Sequence, residues 1–148
     1  MRKDVTNDPA VTGDILARAD VLWLALVDAD GPYSVPVNFA AGDGLLYIHS
    51  GRRGRKAAAL DSGAPLAFSA AVDILPKTGD AACKYGYRFR SIMGTGVPRR
   101  AEGDDMRAAL DAITLKYAGR LLPYEDTALA ATVAYIVEIT SLSARIKE

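Results

Sequence analysis

The chain has one cysteine, one histidine and one tryptophan in 148 residues, and its 18 acidic residues cancel its 18 basic ones. Each shortage excludes something. A lone Cys83 forms no internal disulfide, which fits a reducing, cytoplasmic setting. One His and one Cys cannot build a usual zinc site, so no metal is expected. Zero net charge argues against broad electrostatic binding to nucleic acid or membrane. No apolar run reaches the roughly 18 residues of a transmembrane helix. The opening Met1-Arg2-Lys3-Asp4 leads into polar residues, unlike a signal peptide. Internal repeats, low-complexity tracts and linkers are absent. The length suits one domain over residues 1–148, with 1–10 expected as a loose arm.

Two sharper motifs are also missing. Gly94-Thr95-Gly96 lacks the third glycine and the helix of a dinucleotide fingerprint. His49-Ser50 has neither an orienting acid nor a nucleophile elbow around it, so it does not read as a catalytic pair. The segment Lys84-Tyr85-Gly86-Tyr87-Arg88-Phe89-Arg90 interleaves bases with aromatics, as RNA-binding strands do. With no net charge and no basic tail behind it, packing in a barrel or an interface is the better reading.

Half of the residues are hydrophobic, enough for a sizeable core. Thr12 is expected to cap a short helix over residues 12–19. Residues 21–27 are a continuous apolar run, read as a strand covered on both faces with Trp23 in the core. Residues 33–40 read as a second strand, and Pro36 within it points to a sheet edge or a bulge. Residues 41–44 form a hairpin turn into a third strand, 45–49. A fourth strand follows at 65–75, a loop at 76–84, and an alternating strand at 85–97. Asp104 then opens an amphipathic helix with Met106, Leu110, Ile113 and Tyr117 on one side, closed by Gly119. A last strand begins at Thr132. These hairpin-linked strands predict a mainly β, six-stranded antiparallel barrel with flanking helices.

The most informative segment is Ser50-Gly51-Arg52-Arg53-Gly54-Arg55-Lys56. It joins an apolar strand to a helix through a glycine-containing basic turn. A helix start has unpaired N–H groups and a partial positive charge. Basic side chains add full charges, so the turn is a candidate phosphate site. Upstream lies Val35-Pro36-Val37-Asn38-Phe39, and downstream Tyr87-Arg88-Phe89-Arg90-Ser91-Ile92-Met93-Gly94-Thr95-Gly96.

That order of motifs resembles the pyridoxamine 5'-phosphate oxidase-like FMN-binding split barrels, on the branch of the nitroimidazole-resistance reductases. The resemblance runs over roughly residues 12 to 146. It implies an FMN cofactor and a homodimer whose flavin pockets draw on both chains. Arg55 and Lys56 match the family's phosphate-binding Arg-Lys pair, preceded by Ser50, Gly51 and Arg52. Val37, Asn38 and Phe39 match the strand along the flavin ring, and Ser91 a strand lining the same pocket. His49 falls at the substrate side of the flavin. An imidazole there would exchange protons near neutral pH. The implied activity is an FMN-dependent oxidoreductase passing electrons from a donor such as NAD(P)H to a small nitro or quinone acceptor. A flavin- or haem-binding sensor and a deazaflavin-dependent reductase remain alternatives. Ser143-Ala144-Arg145 stands where relatives often carry Gly-Lys. No long substrate-binding segment follows the last strand, so true pyridoxamine-phosphate oxidase activity is not expected.

Overall fold

The computed structural model describes residues 2–148. Strand β1 (Val5–Thr6) and helix α1 (Pro9–Arg18) open the chain. Strands β2 (Leu22–Asp28), β3 (Gly31–Val37), β4 (Phe39–Gly42) and β5 (Leu45–Gly51) follow. Helix α2 (Arg55–Asp61) leads to β6 (Leu66–Lys77), a 3-10 turn at Ala82–Lys84, and β7 (Gly86–Ala101). Helices α3 (Asp104–Ala118) and α4 (Asp126–Ala130) precede β8 (Thr132–Lys147).

The strands form one antiparallel sheet in the order β3-β2-β6-β7-β8-β5-β4, with β1 also paired to β8. Its two edge strands, β3 and β4, are consecutive in sequence, and Asn38 alone separates them. One residue spans only a few ångströms. The sheet must therefore curl until its edges meet, which closes a barrel. Inside it, Leu22, Leu24, Phe39, Leu46, Ile48, Phe68, Ile92, Tyr135 and Val137 are buried. Leu60 of α2 and Ile15 of α1 belong to the same core.

The fold class is the expected mainly β barrel with flanking helices, with eight strands rather than six. One extra strand comes from cutting residues 33–40 in two at Asn38. The other is β1. Residues 1–10 were expected as a loose arm, but Val5 pairs with Arg145 and Thr6 with Ala144. Asp4 also accepts from Arg145 Nε at 2.7 Å. Met1 lies outside the described residues. Helix α1 starts earlier than expected, because Asp8 rather than Thr12 is its cap, accepting from Ala10 N at 2.9 Å. Thr12 is buried inside the helix, its hydroxyl donating to Asp8 O. Pro36 does lie on an edge strand, as expected.

The apolar run of β2 is not covered on both faces. Leu22, Leu24 and Leu26 are buried, whereas Val21, Trp23 and Val27 are exposed, Trp23 to 50%. Trp23 is therefore outside the core. Strand β8 is the one covered twice. Val133, Tyr135 and Val137 face the barrel interior, and Ala134 and Ile136 pack with Ala109 and Leu110 of α3. Helix α3 lies over β4, β5, β8 and the Ala101 end of β7, and the outer face around Trp23 and Met93 stays exposed among the described residues. Among the described residues no helix is long and apolar enough to cross a membrane.

Two glycines of β7 permit this packing. A Cβ on Gly94 would lie 2.6 Å from Ser141 O and press into the Phe68 ring. Gly94→Ala should therefore cost about 1–3 kcal/mol by overpacking. Gly13, inside α1, has open space where a Cβ would go, so Gly13→Ala should stabilise by about 0.5–1 kcal/mol. Urea unfolding of the two variants checks both signs.

Candidate functional site

The barrel closes at Asn38, and a groove opens beside that closure. Strand β5 alternates, with Leu46, Ile48 and Ser50 inward and Leu45, Tyr47 and His49 outward. Leu45 and Tyr47 pack against the small cluster under α3, and His49 lies half-buried beyond them. Register sets Gly51 opposite Thr132 at the start of β8. Glycine 54, at φ 117°, then turns the chain into α2 and brings Lys56 back toward His49. The resulting groove holds about 370 Å³ and is lined by Pro36, Val37, Asn38, His49, Ser50, Gly51, Lys56 and Thr132.

Its electrostatics are simple. His49 Nδ1 is buried and has no hydrogen-bond partner among the described residues. Burial, and then the Lys56 ammonium, hold the imidazole below its ordinary value of 6.5. His49 is thus neutral at pH 7, with one nitrogen unspent. Lys56 itself makes no ion pair among the described residues. An unpaired ammonium and an amide in one concavity suit an anionic group. A neutral imidazole next to them can accept or deliver a proton.

The bend that carries Asn38 is fixed from behind. Tyr117 Oη accepts from Phe39 N at 3.1 Å and donates to Asp20 O at 2.6 Å. Lys116 Nζ lies 3.5 Å from the Phe39 ring centroid and donates to Ala19 O at 2.6 Å. The last turn of α3 thereby ties the β3–β4 bend to the end of α1.

Six sequence-predicted residues come together in the groove: Val37, Asn38, His49, Ser50, Gly51 and Lys56. Four do not. The Phe39 side chain is fully buried in the core. Arg52 donates its Nε to Ala130 O at the end of α4. Arg55 turns away to Asp28. Ser91 lies in a separate hollow of about 980 Å³ on the bare outer face, with Trp23, Ser69, Ala71, Phe89, Met93 and Arg145. That face is built in rows: Trp23 pairs with Ser69, Ser69 with Met93, and Met93 with Ser143. Two groove residues, Pro36 and Thr132, were not anticipated as site residues. Nor were Lys116 and Tyr117 behind it. Thr132 reaches the site through a strand pairing more than eighty positions long, which no local pattern reports. Among the described residues no group of three or more His, Cys, Asp or Glu gathers as a metal site would require.

A family model described as pyridoxamine 5'-phosphate oxidase matches residues 8–146. Among solved structures, a proposed 5-nitroimidazole antibiotic resistance protein from Bacteroides thetaiotaomicron is 26% identical with a TM-score of 0.82. That match covers 96% of this chain and 86% of the other. An FAD and haem binding protein from Mycobacterium smegmatis shares the fold at 24% identity and a TM-score of 0.88, over 99% of this chain and 74% of its own. The flavocytochrome Anf3 from Azotobacter vinelandii shares it at 18% identity and a TM-score of 0.79, over 100% and 72%. No curated protein matches.

His49 is the only histidine, so its imidazole signals are unambiguous in proton NMR. Its titration midpoint should fall below 6.5. Lys56→Ala should raise it by removing the nearby charge, yet leave it below 6.5 because burial remains. The unfolded chain, with the ordinary value, binds the proton more readily than the folded one. This group therefore lowers stability as pH falls through 6.5, and His49→Gln should flatten that part of the profile in a pH series of unfolding curves.

Proposed function

Because the chain belongs to the pyridoxamine 5'-phosphate oxidase family, we propose that it is a flavin-binding oxidoreductase with FMN as its cofactor. Electrons would pass from a reduced donor such as NAD(P)H to a small acceptor of nitro or quinone type. The observation that carries this reading is the groove at Asn38. It sets an unpaired Lys56 beside a half-buried, neutral His49 whose Nδ1 has no partner. That donor set fits the phosphate-bearing end of a flavin mononucleotide. The flavin, when bound, supplies the redox chemistry.

The chain's own residues then have separable roles. Lys56 holds phosphate charge. The amide of Asn38 offers a further polar partner along the groove, whereas the Thr132 hydroxyl already donates to Ala128 O at 2.7 Å. His49, uncharged at pH 7, holds or accepts a proton without adding positive charge to a site that already has Lys56. Val37 and Pro36 give the groove an apolar wall.

One chain offers little flat apolar surface in this groove, and a flavin ring needs a dry slot. The bare outer face supplies such surface, with Trp23 50% and Met93 68% exposed. We read this face, which includes Ser91, as the part of the pocket that a second copy brings, in a homodimer with two flavin sites. A cytoplasmic setting accords with the unpaired Cys83.

Titration of apoprotein with FMN, FAD and riboflavin tests the cofactor, with FMN expected to bind tightest. Equal or tighter FAD binding would defeat the FMN assignment. Sedimentation should give a dimer at micromolar concentration. Met93→Glu, which buries a charge at the proposed interface, should shift it toward monomer and weaken flavin binding together. A wild-type monomer with flavin bound would remove the shared pocket. His49→Ala should keep flavin but slow transfer to the acceptor, read by stopped-flow reoxidation of the reduced protein. A wild-type rate would leave His49 without a chemical role.

A further inference from the structure

We infer that Arg55 is a strut of the fold and not a phosphate ligand, so that Lys56 is the one cation of the Arg55-Lys56 pair offered to the groove. The inference rests on the flavin reading above and departs from it at this residue.

Two of the three Arg55 guanidinium nitrogens, Nε and Nη2, are engaged within the chain. Its Nε donates to Asp28 Oδ2 at 2.7 Å and its Nη2 to Asp28 Oδ1 at 2.9 Å. This is the two-pronged geometry in which Arg holds a carboxylate best. The same Nη2 reaches Gly31 O at 3.4 Å. The face of the guanidinium lies 4.5 Å from the centroid of the Tyr33 ring. Asp28 ends β2, and Gly31 and Tyr33 open β3. All three partners therefore belong to the β2–β3 hairpin.

That hairpin needs a tie. Strand β3 is at the sheet edge and, among the described residues, pairs with β2 alone. Arg55 fastens it to α2, which is itself anchored in the core by Leu60. The Arg55 hydrogen bond keeps the Asp28 carboxyl below the usual carboxylate range, so the pair is charged on both sides at neutral pH.

Helix geometry separates the two neighbours. Successive residues on a helix are about 100° apart, so Arg55 and Lys56 leave the start of α2 in different directions. Lys56 lines the groove and Arg55 does not. To reach a phosphate there, Arg55 would leave a carboxylate, a carbonyl and an aromatic face for another oxyanion. That exchange trades one fork for another and loosens the edge hairpin.

The test compares wild type, Lys56→Ala, Arg55→Ala and Asp28→Asn in titrations with FMN and with riboflavin, which lacks the phosphate. Unfolding curves are measured for Arg55→Ala, Asp28→Asn and their double variant. Lys56→Ala should weaken FMN by about 10- to 100-fold and leave riboflavin unchanged. Arg55→Ala should lower stability but keep the FMN-to-riboflavin affinity ratio within about threefold of wild type. The two stability losses should be less than additive, because each variant removes the same contact. Arg55→Lys keeps the charge without the fork and serves if the alanine variant does not fold. The inference is overturned if Arg55→Ala or Arg55→Lys lowers the affinity ratio by more than about threefold. It is also overturned if Asp28→Asn raises that ratio, or if the stability losses add. A wild type that binds neither flavin would sink the flavin reading instead, and the double-variant cycle would still judge the strut.

Discussion

One residue joins the two edges of the sheet, and the rest of the molecule follows from that constraint. Asn38 alone separates β3, at one end of the strand order, from β4, at the other. With so short a connection the sheet has no choice but to close. Closure puts Leu24, Phe68, Ile92 and Tyr135 face to face in a dry interior. It also leaves a gap, because Asn38 interrupts the ladder where the edges meet. The groove with His49 and Lys56 lies at that gap. The α3 contacts from Lys116 and Tyr117 fall on the same bend, where the backbone N–H of Phe39 would otherwise lack a partner.

The asymmetry of the helices divides the outside of the barrel in two. Helix α3 covers β4, β5 and β8, and this is why β8 is apolar on both faces along residues 133–137. Among the described residues no helix lies over the outer face around Trp23, Ser69 and Met93. The outward residues of β2, β6 and β7 are small in the middle, with Ala25, Ala67, Ser69, Ala71 and Ser91, and large at the margins, with Trp23 and Met93. Exposed hydrophobics of this size, gathered on one face, are uncommon for a chain that works alone. The homodimer proposed above would cover this face, and the hollow containing Ser91 would then adjoin a partner's groove.

Local pattern carried much of this. The basic turn after β5, the α3 stripe closed by Gly119, and the edge position of Pro36 were legible because each depends on neighbours in sequence. The misses share a cause. Strand β1 is two residues long and exists only because β8 returns beside it, with partners some 140 positions away. The run at residues 21–27 looked doubly buried because hydrophobicity cannot say whether a helix, a second copy or water lies over a strand. Trp23 was misplaced for that reason. Helix α1 began early because Asp8 caps as well as Thr12 would, and the contest is decided by where the preceding strand ends.

Arg55 shows a different limit. Its position next to Lys56 and after a glycine turn says that a basic pair opens a helix. It does not say where the side chains end. Asp28 lies 27 residues earlier, on a hairpin that reaches α2 only once the barrel has closed. A guanidinium offered a carboxylate fork and an aromatic face at short range takes them, and its charge is then largely satisfied within the chain. Lys56 has no such acid among the described residues, and its charge stays available where it already depresses the His49 proton affinity. The charge offered to this groove is thus set by which cation the fold leaves unpaired, more than by how many the sequence brings to the turn.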